Sequence, residues 1–190
     1  MQKLVIFGSG KGSNARRIIE YFKQSLDIEV VALVSNKPRR GFLDISYDFR
    51  INLEIIKGDE MSDPKWLARF KMTYRPDLIV LAGFLKKIPS TFIEAFPGKI
   101  INLHPSLLPK HGGKGMYGSF VHDAVIAAKE KYSGITIHQV NEMYDEGDIL
   151  FQEKVPLDTH ETSESLAEKI YELEYKHLPL FIERFLKEKN

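Results

Sequence analysis

The run Leu4-Val5-Ile6-Phe7-Gly8-Ser9-Gly10-Lys11-Gly12-Ser13-Asn14 joins four consecutive apolar residues to a glycine-rich turn, and Ile18, Ile19 and Phe22 follow on one face of a helix. A strand buried on both faces, a tight turn and an amphipathic helix are the opening of a βα unit on a parallel sheet. Ser13 or Asn14 is expected to cap that helix. The pattern then repeats. Apolar runs predict strands over 4–7, 29–34, 53–56, 77–81, 99–103, 134–140 and 148–155. Between them, helices are predicted over 43–49, from Asp63-Pro64 to the break at Arg75-Pro76, over 90–96 and over 119–130. A long C-terminal helix turns Leu166, Ile170 and Leu173 inward, with Pro179 expected to kink it and a frayed end over 187–190. After Asp77, run 77–81 is apolar on both faces and should be central. The expectation is an α/β fold with a Rossmann-like, mostly parallel central sheet and helices on both faces.

With 190 residues the chain has the length of one domain, expected to span 1–190. Its 27 Lys and Arg against 26 Asp and Glu give a net charge of +1, so no excess of cations exists to neutralise phosphates. No nucleic-acid or membrane partner is therefore expected. The absence of cysteine excludes disulfides, a thiolate nucleophile, iron–sulfur clusters and Cys-based zinc sites. The strand-like N-terminus lacks the features of a secretory signal, and no window is apolar enough to cross a bilayer, so a cytoplasmic protein is expected.

The glycine turn has two readings. It places backbone N–H groups and a positive helix end where a small phosphate ester could bind, and it also serves as a plain strand-to-helix turn. Its G-x-G-x-G spacing matches neither the dinucleotide fingerprint nor the P-loop, and the second strand ends in Ser35-Asn36 without an acidic ribose ligand. NAD(P) and ATP are disfavoured.

Asn102 and His104 stand at i and i+2 near the end of an extended run, so both project to one side. An amide donor beside an imidazole could stabilise an oxyanion and move protons; equally, one could close a turn while the other is a satisfied core histidine. Leu108-Pro109 is a candidate cis bond. Asp145, in the polar loop Tyr144-Asp145-Glu146-Gly147-Asp148, would raise the histidine's pKa if the two met, or it is a solvated acidic turn. His104, His111, His122, His138, His160 and His177 show no metal-ligand spacing, and no metal is expected.

Together these segments resemble the formyltransferase family over nearly the whole chain. The carriers are G-S-G-K-G-S-N at 8–14, V-S-N at 34–36, P-D-L-I-V-L-A-G-F-L-K-K-I at 76–88, I-N-L-H-P-S-L-L-P-K at 101–110 and H-Q-V-N-E-M-Y-D-E-G-D-I-L at 138–150. The most specific is N-x-H-P-S-L-L-P-K followed about 40 residues later by H-x-V-x-x-x-x-D-x-G. The resemblance implies the family's fold and, most closely, transfer of a formyl group from 10-formyltetrahydrofolate to the primary amine of glycinamide ribonucleotide in purine biosynthesis. It implies that Asn102 stabilises the oxyanion, that His104 is the general acid/base and that Asp145 raises the pKa of His104. Gly12, Ser13 and Asn14 would hold the phosphoribosyl end and Glu174 the ribose. Leu85, Lys86, Lys87, Ile88, Asn102 and Asn141 would line the folate site, Lys65 would meet its glutamate tail, and 111–118 would form a lid. Plain core packing is the other reading of Leu85 and Ile88.

The chain departs from the family at Lys86-Lys87, where many members carry Arg and an apolar residue. Relatives that let water attack usually carry a second histidine where this chain has Pro105, and the tRNA-formylating relatives add a basic C-terminal domain. The transferase reading acting on small molecules is therefore expected, in a monomer or weak homodimer. A non-catalytic folate- or nucleotide-binding module is the alternative from another class.

Overall fold

A computed structural model describes residues 1–37 and 40–188. The expected frayed end falls partly on 189–190, outside the described residues; Lys187 and Glu188 still belong to the last helix. In chain order the elements are β1 (Gln2–Gly8), α1 (Ser13–Phe22), β2 (Ile28–Ser35), α2 (Arg40–Phe49), β3 (Asn52–Ile55), a single 3-10 turn (Glu60–Ser62) and α3 (Pro64–Tyr74). They continue with β4 (Leu78–Leu81), α4 (Ser90–Ala95), β5 (Ile100–His104), α5 (Ser119–Ala127), β6 (Tyr132–Gln139), β7 (Ile149–Pro156) and α6 (Ser163–Glu188).

The strands form one sheet in the order β3-β2-β1-β4-β5-β6-β7. β1 pairs in parallel with β2 and β4, β2 with β3 and β4 with β5, whereas β6 runs antiparallel to β5 and to β7. Period-2 alternation divides the core between the two faces. Leu4, Ile6, Leu33, Leu78 and Val80 pack on one face with residues of α1, α2, α5 and α6. Val5, Phe7, Val34, Ile79 and Leu81 pack on the other with α3 and α4. The expected mostly parallel sheet covered by helices on both faces is the observed one.

Local chemistry explains several ends. Asp63 caps α3 by accepting from the Lys65 N–H at 2.9 Å, with Pro64 in the first turn, and Arg75 ends the helix in left-handed backbone (φ 44). α5 stops at Ala127, short of the expected 130, because Lys129 turns left-handed (φ 52). α6 continues through Pro179 to Glu188. The expected cap of α1 is corrected: Gly12 (φ 79) is the N-cap and supplies no side-chain bond. Asn14 lies inside the helix and its amide points across to α6.

Because β1 has β2 on one side and β4 on the other, the connections leaving β1 and β4 diverge at their carboxyl ends. A crevice opens there, the position where open α/β sheets bind ligands. The glycine turn follows β1, and residues 82–88 follow β4.

Candidate active site

The crevice is a cleft of about 610 Å³. Its floor is the end of β5 and β6, one end is the glycine turn with α1 and α6, and the other lies between 85–88 and 141–145. The expected catalytic, nucleotide-binding and folate-binding residues line it except Lys65, which is exposed on α3; of the expected lid, 113–118 line it and His111 and Gly112 do not.

The floor is built by strand pairing. Asn102 on β5 stands opposite His138 on β6, and His104 opposite Thr136. Asn102 Nδ2 lies 3.0 Å from His138 Nε2. His138 Nδ1 is 2.9 Å from the Gln139 carbonyl, which can only accept, so Nδ1 carries the hydrogen and the neutral ring receives the Asn102 amide at Nε2. Asp145 arrives from the β6–β7 loop with left-handed backbone (φ 58). Its Oδ1 lies 3.4 Å from Asn102 Nδ2 and 3.5 Å from His138 Nε2, and its Oδ2 lies 3.5 Å from His104 Nδ1. The Gly113 N–H also donates to Oδ2 at 2.9 Å. Residues 43 positions apart thus share one network.

His104 is 3% exposed. Its Nε2 is 2.9 Å from the carbonyl of His111, an acceptor, so the neutral ring keeps its hydrogen on Nε2 and its lone pair on Nδ1, beside Asp145. Burial pushes the imidazole below its usual pKa; the Asp145 charge pulls upward, as expected, but does not overcome burial. The expected raised pKa is therefore corrected to a lowered one, and His104 rests as a neutral base. Burial alone would raise Asp145, yet the contact with His138, the pairing it would make with a protonated His104 and the Gly113 N–H hold it below the usual carboxylate range. Asp145 is the anion of the network.

At the glycine end, Gly12 carries a positive φ of 79, and a Cβ built on it would meet Ile45 Cδ1 at 2.5 Å. Only glycine fits this turn, whose helix start leaves the first-turn N–H groups without intrahelical partners. Ser13 is exposed there, and half-buried Asn14 donates from Nδ2 to Glu174 Oε2 at 2.8 Å. Asn14 Oδ1 is buried with no partner among the described residues. Burial pushes the Glu174 carboxyl up to about 7, against the lowering effect of Asn14.

At the far end Leu85 is 42% exposed, while Ile88 is 5% exposed and packs within the core, so packing holds Ile88 even as it borders the cleft. Lys86 Nζ lies 3.4 Å from Asp59, and Lys87 Nζ stands 5.8 Å from the Tyr144 ring, spanning the mouth. Asn141 is exposed and its Oδ1 accepts from the Met143 N–H at 2.9 Å, shaping the loop that carries Asp145. Residues 113–118 cover the floor, with positive φ at Gly113, Gly115 and Gly118.

Three contributors escaped the sequence reading. Ser9 is buried and ties the cleft together: Oγ donates to Asn36 Oδ1 at 2.6 Å and accepts from the Leu85 N–H at 2.9 Å. His138 is known as a partner of Asn102 only once β6 is known to pair antiparallel with β5. His122, on α5, lines the cleft with a buried Nδ1 that has no partner among the described residues, and burial lowers its pKa. Among the described residues no group of acidic or histidine side chains is arranged to hold a metal, and no helix is long and apolar enough to cross a membrane.

Residues 2–182 match the model of the family described as formyl transferase. Among curated proteins the chain is 42% identical over 181 residues to the chloroplastic phosphoribosylglycinamide formyltransferase of Arabidopsis thaliana, covering 92% of this chain and 62% of that protein. The chain thus spans about three fifths of the length of that relative. It is 32% identical to the phosphoribosylglycinamide formyltransferase of Bacillus subtilis, covering 98% of this chain and 95% of the relative. The crystal structure of the Bacillus halodurans protein of the same name superposes with a TM-score of 0.86 at 30% identity, covering 100% of this chain and 97% of that one.

Proposed function

The chain belongs to the formyl transferase family, and from that premise we propose that it transfers the formyl group of 10-formyltetrahydrofolate to the primary amine of glycinamide ribonucleotide. The observation that carries this reading is the convergence of Asn102, His104 and Asp145, within 3.5 Å contacts, on the floor between a phosphate-suited turn and a partly apolar mouth. The names of the relatives support a formyl transfer to phosphoribosylglycinamide.

The cleft suits both molecules. At one end the α1 N-terminus offers backbone donors and positive potential to a phosphate dianion. Beside it the orphaned Asn14 Oδ1 and the Glu174 carboxyl offer acceptors to ribose hydroxyls. Leu85, Lys86, Lys87, Ile88 and the 141–145 loop form the opposite end, where a flat pteridine would lie against apolar and backbone groups. The folate supplies the activated formyl group.

The protein's residues supply positioning, charge stabilisation and proton transfer. Asn102 Nδ2 has one short bond to His138 and one long approach to Asp145, leaving the second hydrogen able to turn to the formyl oxygen as the amine adds. A proton released by the amine can pass to the lone pair of His104 Nδ1, directly or through water. The resulting imidazolium would be stabilised by Asp145, and the same Nδ1–H can then protonate the departing folate nitrogen. Asp145 thus makes the charged state of a buried base accessible without making it the resting state.

Absorbance-monitored loss of formyl from 10-formyltetrahydrofolate tests the proposal. Loss that requires glycinamide ribonucleotide and yields formylated ribonucleotide one for one is expected. Equal loss with water alone would replace the reading by hydrolysis, and binding of both molecules without loss would leave a binding module.

A further inference from the structure

Glu130 lies outside the cleft, in the turn between α5 and β6 that follows the left-handed Lys129. Its carboxylate holds two consecutive residues of the segment leaving β5. Lys110 Nζ donates to its two oxygens at 3.0 and 2.9 Å, and His111 Nε2 lies 3.2 Å from Oε1. These bonds hold the carboxyl below its usual range, so the clamp stays charged at neutral pH. His111 has a φ of 54, a conformation that a residue with a side chain keeps only when its surroundings impose it. In that conformation its carbonyl meets His104 Nε2 at 2.9 Å. Fully buried Ser106 fixes the preceding peptide by donating to the Lys110 carbonyl at 2.8 Å.

Two acceptors compete for the hydrogen of neutral His104: the His111 carbonyl at Nε2, and the Asp145 carboxylate 3.5 Å from Nδ1. A carboxylate is the stronger acceptor, so the carbonyl prevails only while it is held close. Were it to withdraw, the hydrogen would move to Nδ1 and the lone pair to Nε2, away from Asp145. We propose that Glu130 is a positioning residue for His104, clamping Lys110 and His111 so that the His111 carbonyl keeps the proton-accepting lone pair on Nδ1. This rests on the reading of His104 as the acid/base group. The Gly113–Asp145 bond tethers the same segment independently, so loss of Glu130 shifts the carbonyl without releasing the whole loop. The titratable groups whose charge bears on His104 are Asp145, His138 on β6, His111 and, on α5, His122.

Glu130→Ala and Glu130→Gln test it through kcat, KM for both substrates, the pH dependence of kcat and the ring ¹⁵N shifts of His104. Glu130→Ala is expected to lower kcat about tenfold, in line with the effect of outer partners that orient ligating imidazoles, with KM within about twofold. The acid limb of the profile should move, and the ¹⁵N shifts should lose the pure Nε2–H signature. Glu130→Gln, which still accepts from Lys110 or His111, should keep most of kcat. A lower Tm with unchanged kcat, pH profile and ¹⁵N shifts would overturn the proposal, as would Glu130→Gln as impaired as Glu130→Ala. Wild-type turnover in His104→Ala would instead remove the underlying reading, whereas an inactive His104→Ala beside an unaltered Glu130→Ala would remove the role of Glu130 alone.

Discussion

The floor of the cleft and its glycine end are finished to different degrees. On the β5–β6 floor the polar groups are engaged: His138 with Asn102 and Gln139, His104 with His111, and Asp145 with Gly113. At the glycine end Asn14 Oδ1 is buried without a partner among the described residues, and the Glu174 carboxyl sits beside it with its pKa pushed up to about 7. A buried unpaired polar atom costs stability, typically about 1–3 kcal/mol. The protein carries that cost at Asn14, where a ligand would remove it, and again at His122 Nδ1 on α5, whereas the strand and loop residues of the floor itself are partnered. Groups that act on the transition state gain from being preorganised, whereas groups that bind the ground state can leave bonds for the substrate to complete.

The contrast predicts that substitutions divide into turnover effects on the floor and affinity effects at the glycine end. The largest effect is expected at the floor. His104→Ala should lower kcat by about 10²–10⁴, the usual contribution of general acid–base catalysis, with nucleotide affinity nearly unchanged; Asp145→Asn should lower it less. Steady-state kinetics beside calorimetric nucleotide binding separates the two terms, and a loss confined to affinity would break the comparison.

Gly12→Val should do the reverse. The side chain would need a left-handed backbone and would run into Ile45, so the turn must deform and nucleotide Kd should rise about tenfold or more, equivalent to about 1.4 kcal/mol. An unchanged Kd would move the phosphate site away from the turn.

The smallest effect is a pH slope. The Glu174 carboxyl binds a proton more tightly in the fold than in the unfolded chain, where its pKa is near 4.5. Its stabilising contribution is therefore full below about 4.5 and is lost as pH rises through about 7. Thermal melts of the ligand-free protein should show that decline superimposed on other titrations, and Glu174→Gln should flatten it. An identical slope in the variant would assign the effect elsewhere.

The fold was largely legible because its signals are local. Four apolar residues before a glycine turn, the continuous apolar run Leu78 to Leu81 and the Asp63-Pro64 opening each act within a few residues of chain. Misjudged boundaries lay where one residue takes an unusual conformation, as Lys129 does at the end of α5 and Gly12 at the start of α1. The identities of Asn102, His104 and Asp145 as candidates were also available from sequence. Their partners were not, because His138 reaches Asn102 only through antiparallel strand register, and Ser9 links Asn36 and Leu85 only through the packing of three strand ends.

The sequence by itself determined the alternation of strands and helices, the presence of a glycine turn before α1 and the side chains available for chemistry. Tertiary structure decided which nitrogen of His104 faces Asp145 and whether its pKa goes up or down. A proton's position depends on every acceptor and every loss of water around the ring, and those come from segments far apart in the chain. Asp145 beside a histidine argues for a raised pKa; a ring 3% exposed settles it as lowered, because desolvation is a property of the whole packed interior.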